Sequence, residues 1–203
     1  MRTVVPSEIL DIARYEKVRV PYRQRIIELK KHRRIQVGPM VTFVFENHDT
    51  VLFQIQEMMR AERIVEDEAI QHEIDTYNQL LPGMDQLAAT MMIEIPEAAQ
   101  IRERIALFHG VNTGDATYMQ IGAARLPGSF DSGQGDERRI SAVQYVRFQL
   151  SSTERESFLH GNDEVRLVID HPNYHHSALI TGDVRHQLED DLQSASPLDY
   201  PLS

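Results

Sequence analysis

The 203-residue chain contains no cysteine and no tryptophan, and aromatic residues make up only 7% of it. The lack of cysteine excludes disulfides, a thiol nucleophile and thiolate-held iron–sulfur clusters. Redox chemistry here would need a bound cofactor, a His/carboxylate metal site or a partner protein. Few aromatics leave little to stack on bases. Tyr118 and Tyr145 are the only good candidates on strands. No run approaches the ~18 consecutive apolar residues of a membrane span. The opening Met1-Arg2-Thr3-Val4-Val5-Pro6-Ser7-Glu8 has no apolar h-region, so the cytoplasm is the expected compartment. There is no Walker loop, no G-x-G-x-x-G after a strand and no G-x-S-x-G elbow.

The net charge of −10 is unevenly spread: Met1–Met40 carries +6, leaving −16 for the rest. The overall acidity argues against a dedicated nucleic-acid binder. The basic block suits an internal docking arrangement or an acidic partner.

Length and patterning point to a single α+β domain over 1–203, with a mainly helical part (1–84), a strand–helix–strand part (85–193) and a flexible tail (194–203). Pro6-Ser7-Glu8 opens a short helix. Pro21 is expected in the first turn of a second, Tyr22 to Arg34, whose stripe is Tyr22, Ile26 and Leu29 with cations on the flanks. Val41–Phe45 reads as a buried strand. Asp49 or Thr50 is expected to cap a helix from Val51 to about Ile64, followed by an acidic helix from Glu66 to Leu81. In the second half, Thr90–Ile95, Tyr118–Ile121, Ile140–Leu150 and Val165–Ile169 read as strands. Helices start at Pro96 and at the capping box Ser151–Glu154. Two consecutive strand–helix–strand units suggest a mainly antiparallel sheet of ferredoxin-like βαββαβ type. Pro127–Asp136 reads as a mobile Gly/Asp-rich loop.

Three constellations could carry chemistry. Glu62 extends the stripe Val51, Ile55 and Met58, and Glu73 lies beside Ile70, Ile74 and Tyr77. With Arg60 and Arg63 they form either a buried charge network or rim ion pairs between two helices. The missing pair of Glu-x-x-His motifs argues against a ferritin-like di-iron site. Asp170 with His171, His175 and His176 is a candidate loop site for zinc, iron or nickel, although Pro172 spoils any helical spacing. The cationic helix containing Arg23 and Arg25 is either a solvated face or a docking surface.

The run Phe45-Glu46-Asn47-His48-Asp49-Thr50 through Ile64 resembles the core motif of an uncharacterised bacterial family, domain of unknown function 3501. Glu73–Asn78 with Leu81-Pro82-Gly83, and Ile140–Phe148, resemble its other blocks. The resemblance supplies no catalytic residue and no cofactor. Members are often encoded beside rubrerythrin and iron–sulfur proteins, which implies an accessory role in peroxide defence or electron transfer. The motif helix is dense in donors and acceptors: Gln54, Gln56, Glu57, Arg60, Glu62 and Arg63. These either satisfy buried backbone or face a partner. The expectation is therefore a non-enzymatic adaptor with a rubrerythrin-like or iron–sulfur protein partner and room for a homo-oligomer. A His/carboxylate metalloenzyme is the alternative, and a nucleotide- or RNA-binding module a weaker one.

Overall fold

The computed structural model describes residues 1–131, 135–136 and 139–194. The centre of the expected Gly/Asp-rich loop and the tail from 195 onward lie outside the described residues. The α+β class holds. Eight strands form one antiparallel sheet: β1 (Arg34–Val37), β2 (Val41–Phe45), β3 (Gln86–Ile93), β4 (Thr117–Ile121), β5 (Ala124–Phe130), β8 (Val143–Gln149), β9 (Val165–His171) and β10 (Tyr174–Leu179). Their order across the sheet is β1-β2-β3-β8-β5-β4-β9-β10. The short segments β6 (Gly135–Asp136) and β7 (Arg139–Ile140) pair separately. Among the described residues there are six α-helices: α1 (Ile12–Lys31), α2 (His48–Glu62), α3 (Asp67–Asn78), α4 (Ile101–Ala106), α5 (Ser152–His160) and α6 (Gly182–Ser194). None is long and apolar enough to cross a membrane.

The ferredoxin-like order is not what these strands adopt. That fold would set β9 beside β3, whereas β9 pairs with β4 and β10, and β5 is inserted between β8 and β4. The reason lies in two strands that the sequence hides. β5 contains Pro127 and Gly128, residues that argue against a central strand. Here the strand changes partner at that dipeptide: Ala124 to Pro127 pair with β4, and Gly128 to Phe130 pair with β8. Gly128 also permits the close approach, since an added Cβ would stand 2.9 Å from the Thr117 carbonyl oxygen. β10, Tyr-His-His-Ser-Ala-Leu, lacks an apolar alternation and reads as loop.

The sheet curls until β1 and β10 come side by side. Tyr174 bridges this gap. Its hydroxyl donates to the Val37 carbonyl oxygen (2.6 Å) and accepts from the Met40 N–H (2.9 Å). The three-residue β1–β2 turn takes Gly38 to φ +67°, and a Cβ there would meet Tyr174 and His176 at 2.5 Å. Inside the curl, Val37, Val41, Phe43, Phe45, Met91, Met119, Phe148 and Ile169 are fully buried; Phe108 and Val111, and Phe158, Leu188 and Leu192, join the same core.

α1 runs as one helix through Pro21, not as two pieces. An internal proline costs about 3 kcal/mol. The helix tolerates this because buried Tyr15 and Ile26 anchor it on either side of the break. Asp11 caps it by accepting from the Arg14 N–H. α2 is capped by Asn47 in a reciprocal box with Thr50, a turn earlier than expected. The Ser151–Glu154 box forms as the sequence reads. A smaller core, Val51, Ile55, Met59, Ile74 and Leu81 with Val4, fills the space among α2, α3 and the N-terminal segment, and Tyr145 of β8 packs against it.

Arg33 falls in the stretch expected to be helix with cations on its flanks, and is instead fully buried. Its Nε donates to the Phe45 carbonyl oxygen (2.8 Å), a second nitrogen donates to that of Glu46 (3.3 Å), and it ion-pairs with Asp191 of α6. Removing one member of a buried pair strands the other charge. Asp191→Ala should therefore lower unfolding free energy in urea by about 3–5 kcal/mol, and Arg33→Met with Asp191→Leu should recover most of the loss.

Candidate functional site

The N-terminal segment crosses α2 as a strap. It has no strand partner, and two side-chain amides take that place. The Val4 N–H donates to Asn78 Oδ1 (2.9 Å) while Asn78 Nδ2 donates to the Val4 carbonyl oxygen (3.0 Å). The Leu10 N–H donates to Gln56 Oε1 (2.8 Å) while Gln56 Nε2 donates to the Leu10 carbonyl oxygen (3.0 Å). Between these clamps a 3-10 turn, Pro6–Glu8, brings Glu8 within 3.2 Å of His48 Nε2 and 2.6 Å of Arg2.

α1 is tied to α2 by charge. Arg19 grips Glu57 with two nitrogens, both at 2.7 Å, and the Tyr15 hydroxyl donates to the same carboxylate at 2.7 Å. Arg60 reaches Glu16 at 2.6 Å. The Arg19 hydrogen bonds hold the Glu57 carboxyl below its ordinary value, against the upward push of burial. At Glu8 burial also pushes upward. The Val5 N–H and His48 bonds and the charges of His48 and Arg2 outweigh it, so the net shift is downward.

Two clefts flank the strap. The first, about 510 Å³, is lined by Glu8, Leu10, Val18, Pro21, Tyr22, Arg25, Leu52 and Gln56. The second, about 540 Å³, lies toward α3 and includes Ile9, Met59, Val65, Asp67 and Ile70. The Tyr22 hydroxyl, at the first cleft, is buried and has no hydrogen-bond partner among the described residues. Arg25 lies over the Tyr22 ring at 5.2 Å and 3.8 Å from Asp49.

The sequence-predicted residues are thus distributed unevenly. Gln56, Glu57 and Arg60 make their bonds to the strap and α1. Gln54 donates to Glu46 (3.3 Å), a buried carboxylate that also accepts from Thr50 and Thr90, each at 2.5 Å. Among the described residues Glu46 has no ion-pair partner; three neutral side-chain donors hold it. Tyr145 lies nearby, its hydroxyl pushed up by burial and then by the charges of Glu46 and Asp131. Tyr77 is pushed up by burial and by Tyr145, Glu73 and Glu62.

The expected Arg–Glu network is not formed. The buried stripe of α2 is Val51, Ile55 and Met59, which turns Glu62 out to solvent, and Arg63 ends the helix at φ +56°. The three imidazoles do not converge either. Buried His171 is engaged by the His109 carbonyl oxygen (2.8 Å), His175 by Asp170 (2.8 Å), and His176 packs on the Tyr174 ring. His175 and His176 are neighbours on β10 and so point to opposite faces. Among the described residues no three His, Asp or Glu side chains are placed to hold a metal ion. Arg23 and Arg25 sit about 200° apart around α1 and do not share a face. Tyr15 and Arg19 were missed because Pro21 made their helix look broken, and Glu8 and His48 because nothing local marks a strap.

The model of a family described as a protein of unknown function (DUF3501) matches residues 3–192. The chain belongs to that family. A crystal structure of a novel protein of unknown function from Burkholderia pseudomallei K96243 is similar to this DUF3501 chain, with 30% identity and a TM-score of 0.87. The likeness covers 94% of this chain and 100% of that one. No curated protein matches the chain. Glu46, Tyr77 of α3 and Tyr145 of β8 lie close enough to act on one another: Glu46 raises the Tyr145 hydroxyl, and Tyr145 with Glu73 and Glu62 raises that of Tyr77.

Two acid-sensitive contacts follow from these carboxylates. Glu8 and Glu57 have folded values below their ordinary 4.5, so their stabilisation is complete above that pH and is lost as pH falls through the folded values. The melting temperature should drop below about pH 4.5, and Glu57→Gln should flatten part of that drop. Gln56→Ala, which strands the Leu10 amide and carbonyl, should cost about 1–3 kcal/mol in urea and speed proteolysis of the strap.

Proposed function

We propose that the chain is a non-enzymatic accessory protein that docks an acidic surface of a partner in a peroxide-defence or electron-transfer module. The partner class, a rubrerythrin-like or iron–sulfur protein, comes from the neighbourhood implied by the family. The carrying observation is the outer flank of α1. Arg23, Lys30 and neighbouring Arg34 have no ion-pair partner among the described residues; Ile27, between them, is 44% exposed, and Val20, one turn before Arg23, is 64% exposed. Apolar anchors ringed by unpaired cations suit a partner surface of opposite charge. α2 supports the reading from the other side: most of its polar residues are engaged within the chain, which leaves α1 as the cationic surface on offer.

The test uses purified partners of both kinds. A rubrerythrin-type protein and an iron–sulfur neighbour are titrated with the full chain by calorimetry at low and high salt. Arg23→Glu with Ile27→Asp should weaken binding about tenfold or more, as should added salt. Absence of binding to either protein, or binding indifferent to both changes, would remove the adaptor reading.

A further inference from the structure

The strap from Val4 to Leu10 is fastened by side chains alone. Among the described residues its main chain bonds to the rest of the protein only at Val4, through Asn78, and at Leu10, through Gln56. A side-chain amide that accepts from the N–H and donates to the carbonyl of one residue copies a hydrogen-bonded pair of an antiparallel ladder. Such a contact reads main chain and is indifferent to the side chain it passes. Selection comes from the side chains between. Val4, 2% exposed, fills a socket in the cluster of Val51, Ile55, Ile74 and Leu81. Glu8, four residues later, meets His48 at 3.2 Å, and Pro6 opens the 3-10 turn that sets their spacing.

The strap is also thinly packed. The 510 Å³ and 540 Å³ clefts lie on its two sides: Glu8 and Leu10 form a wall of the first, Pro6 and Ile9 a wall of the second. A segment with so few buried contacts opens at lower cost than the sheet. Raising it joins the two clefts into one groove along α2. Leu52 then lies on one side of that groove and Met59 and Ile70 on the other, and the Gln56 and Asn78 amides are left bare.

We infer that this groove is a receptor for an extended segment of another protein, and that the strap is the lid which fills it until displaced. The strap displays the chemistry required of the occupant: a β-branched apolar residue, a proline two positions on and a carboxylate two further on, with main chain free to pair at both ends. A second copy of this chain cannot supply it. Leu10 runs directly into Asp11, the cap of α1, and α1 is tied to its own α2 through Arg19 and Glu57, which leaves no slack to reach another molecule. The groove lies on α2 and α3, away from the outer flank of α1, so it stands or falls separately from the docking proposed above.

The probe is a fluorescein-labelled peptide of Met1–Asp11, titrated into the full chain and read by fluorescence polarisation, with circular dichroism to confirm that each variant is folded. Val4→Asp in the chain unseats its own strap and leaves the groove intact. That variant should bind the peptide about tenfold or more tighter than the wild type does, because an occupied groove lowers apparent affinity by the fraction that is open. Adding Asn78→Ala to the variant, or Val4→Asp to the peptide, should weaken binding about tenfold or more. A folded Val4→Asp chain that leaves the peptide free, or holds it equally well after either change, would overturn the inference. Where Val4→Asp unfolds the chain, hydrogen exchange of the wild type decides. The Val4 and Leu10 amides should exchange about tenfold or more faster than those of β3 and β8, and exchange as slow as the sheet would mean that no lid opens.

Discussion

Everything in this fold hangs on how the two ends of the sheet are brought together. Backbone pairing stops at β1 and β10, and the Tyr174 hydroxyl spans the gap to Val37 and Met40. Two hydrogen bonds from one side chain replace a ladder and hold the β1–β2 hairpin against the rest of the sheet. That hairpin in turn positions α1 before it and α2 after it. Arg33, at the α1–β1 junction, draws α6 onto the same place through Asp191. The helical layer is thus located by a tyrosine and an arginine, both buried, and both polar at the contact.

Local rules were readable where chemistry is local. The Ser151–Glu154 box and the buried Val41–Phe45 strand stand in the structure as the residues imply. The family was legible as well, because its motif is a contiguous run. What failed depended on tertiary context. Pro21 reads as a helix start, yet contacts from Tyr15 and Ile26 carry the helix through it. Pro127 and Gly128 read as loop, yet they mark where one strand exchanges partners. The histidines of β10 read as a cluster, and strand alternation separates them.

The candidate site was half legible for the same reason. The density of polar groups on α2 signalled work beyond packing, but not where that work is done. Gln56 and Asn78 act as surrogate peptide groups for a segment some fifty and seventy residues away. No periodicity encodes such a contact. Glu57 could be recognised as unusual, while its partners Arg19 and Tyr15 lay in a helix that its proline appeared to split.

The exchange of partners within β5 has a mechanical consequence. At Pro127–Gly128 the hydrogen bonds pass from one neighbour to the other, so no cross-section of that strand is bonded on both sides over its length. The sheet is therefore two leaves joined along a seam: β1-β2-β3-β8 with the end of β5, and β4-β9-β10 with its beginning. A tear along this seam breaks few main-chain bonds, while each leaf keeps its own ladders. The leaves are natural units of partial opening, and the tyrosine at the far edge is the clasp that makes them open together or not at all.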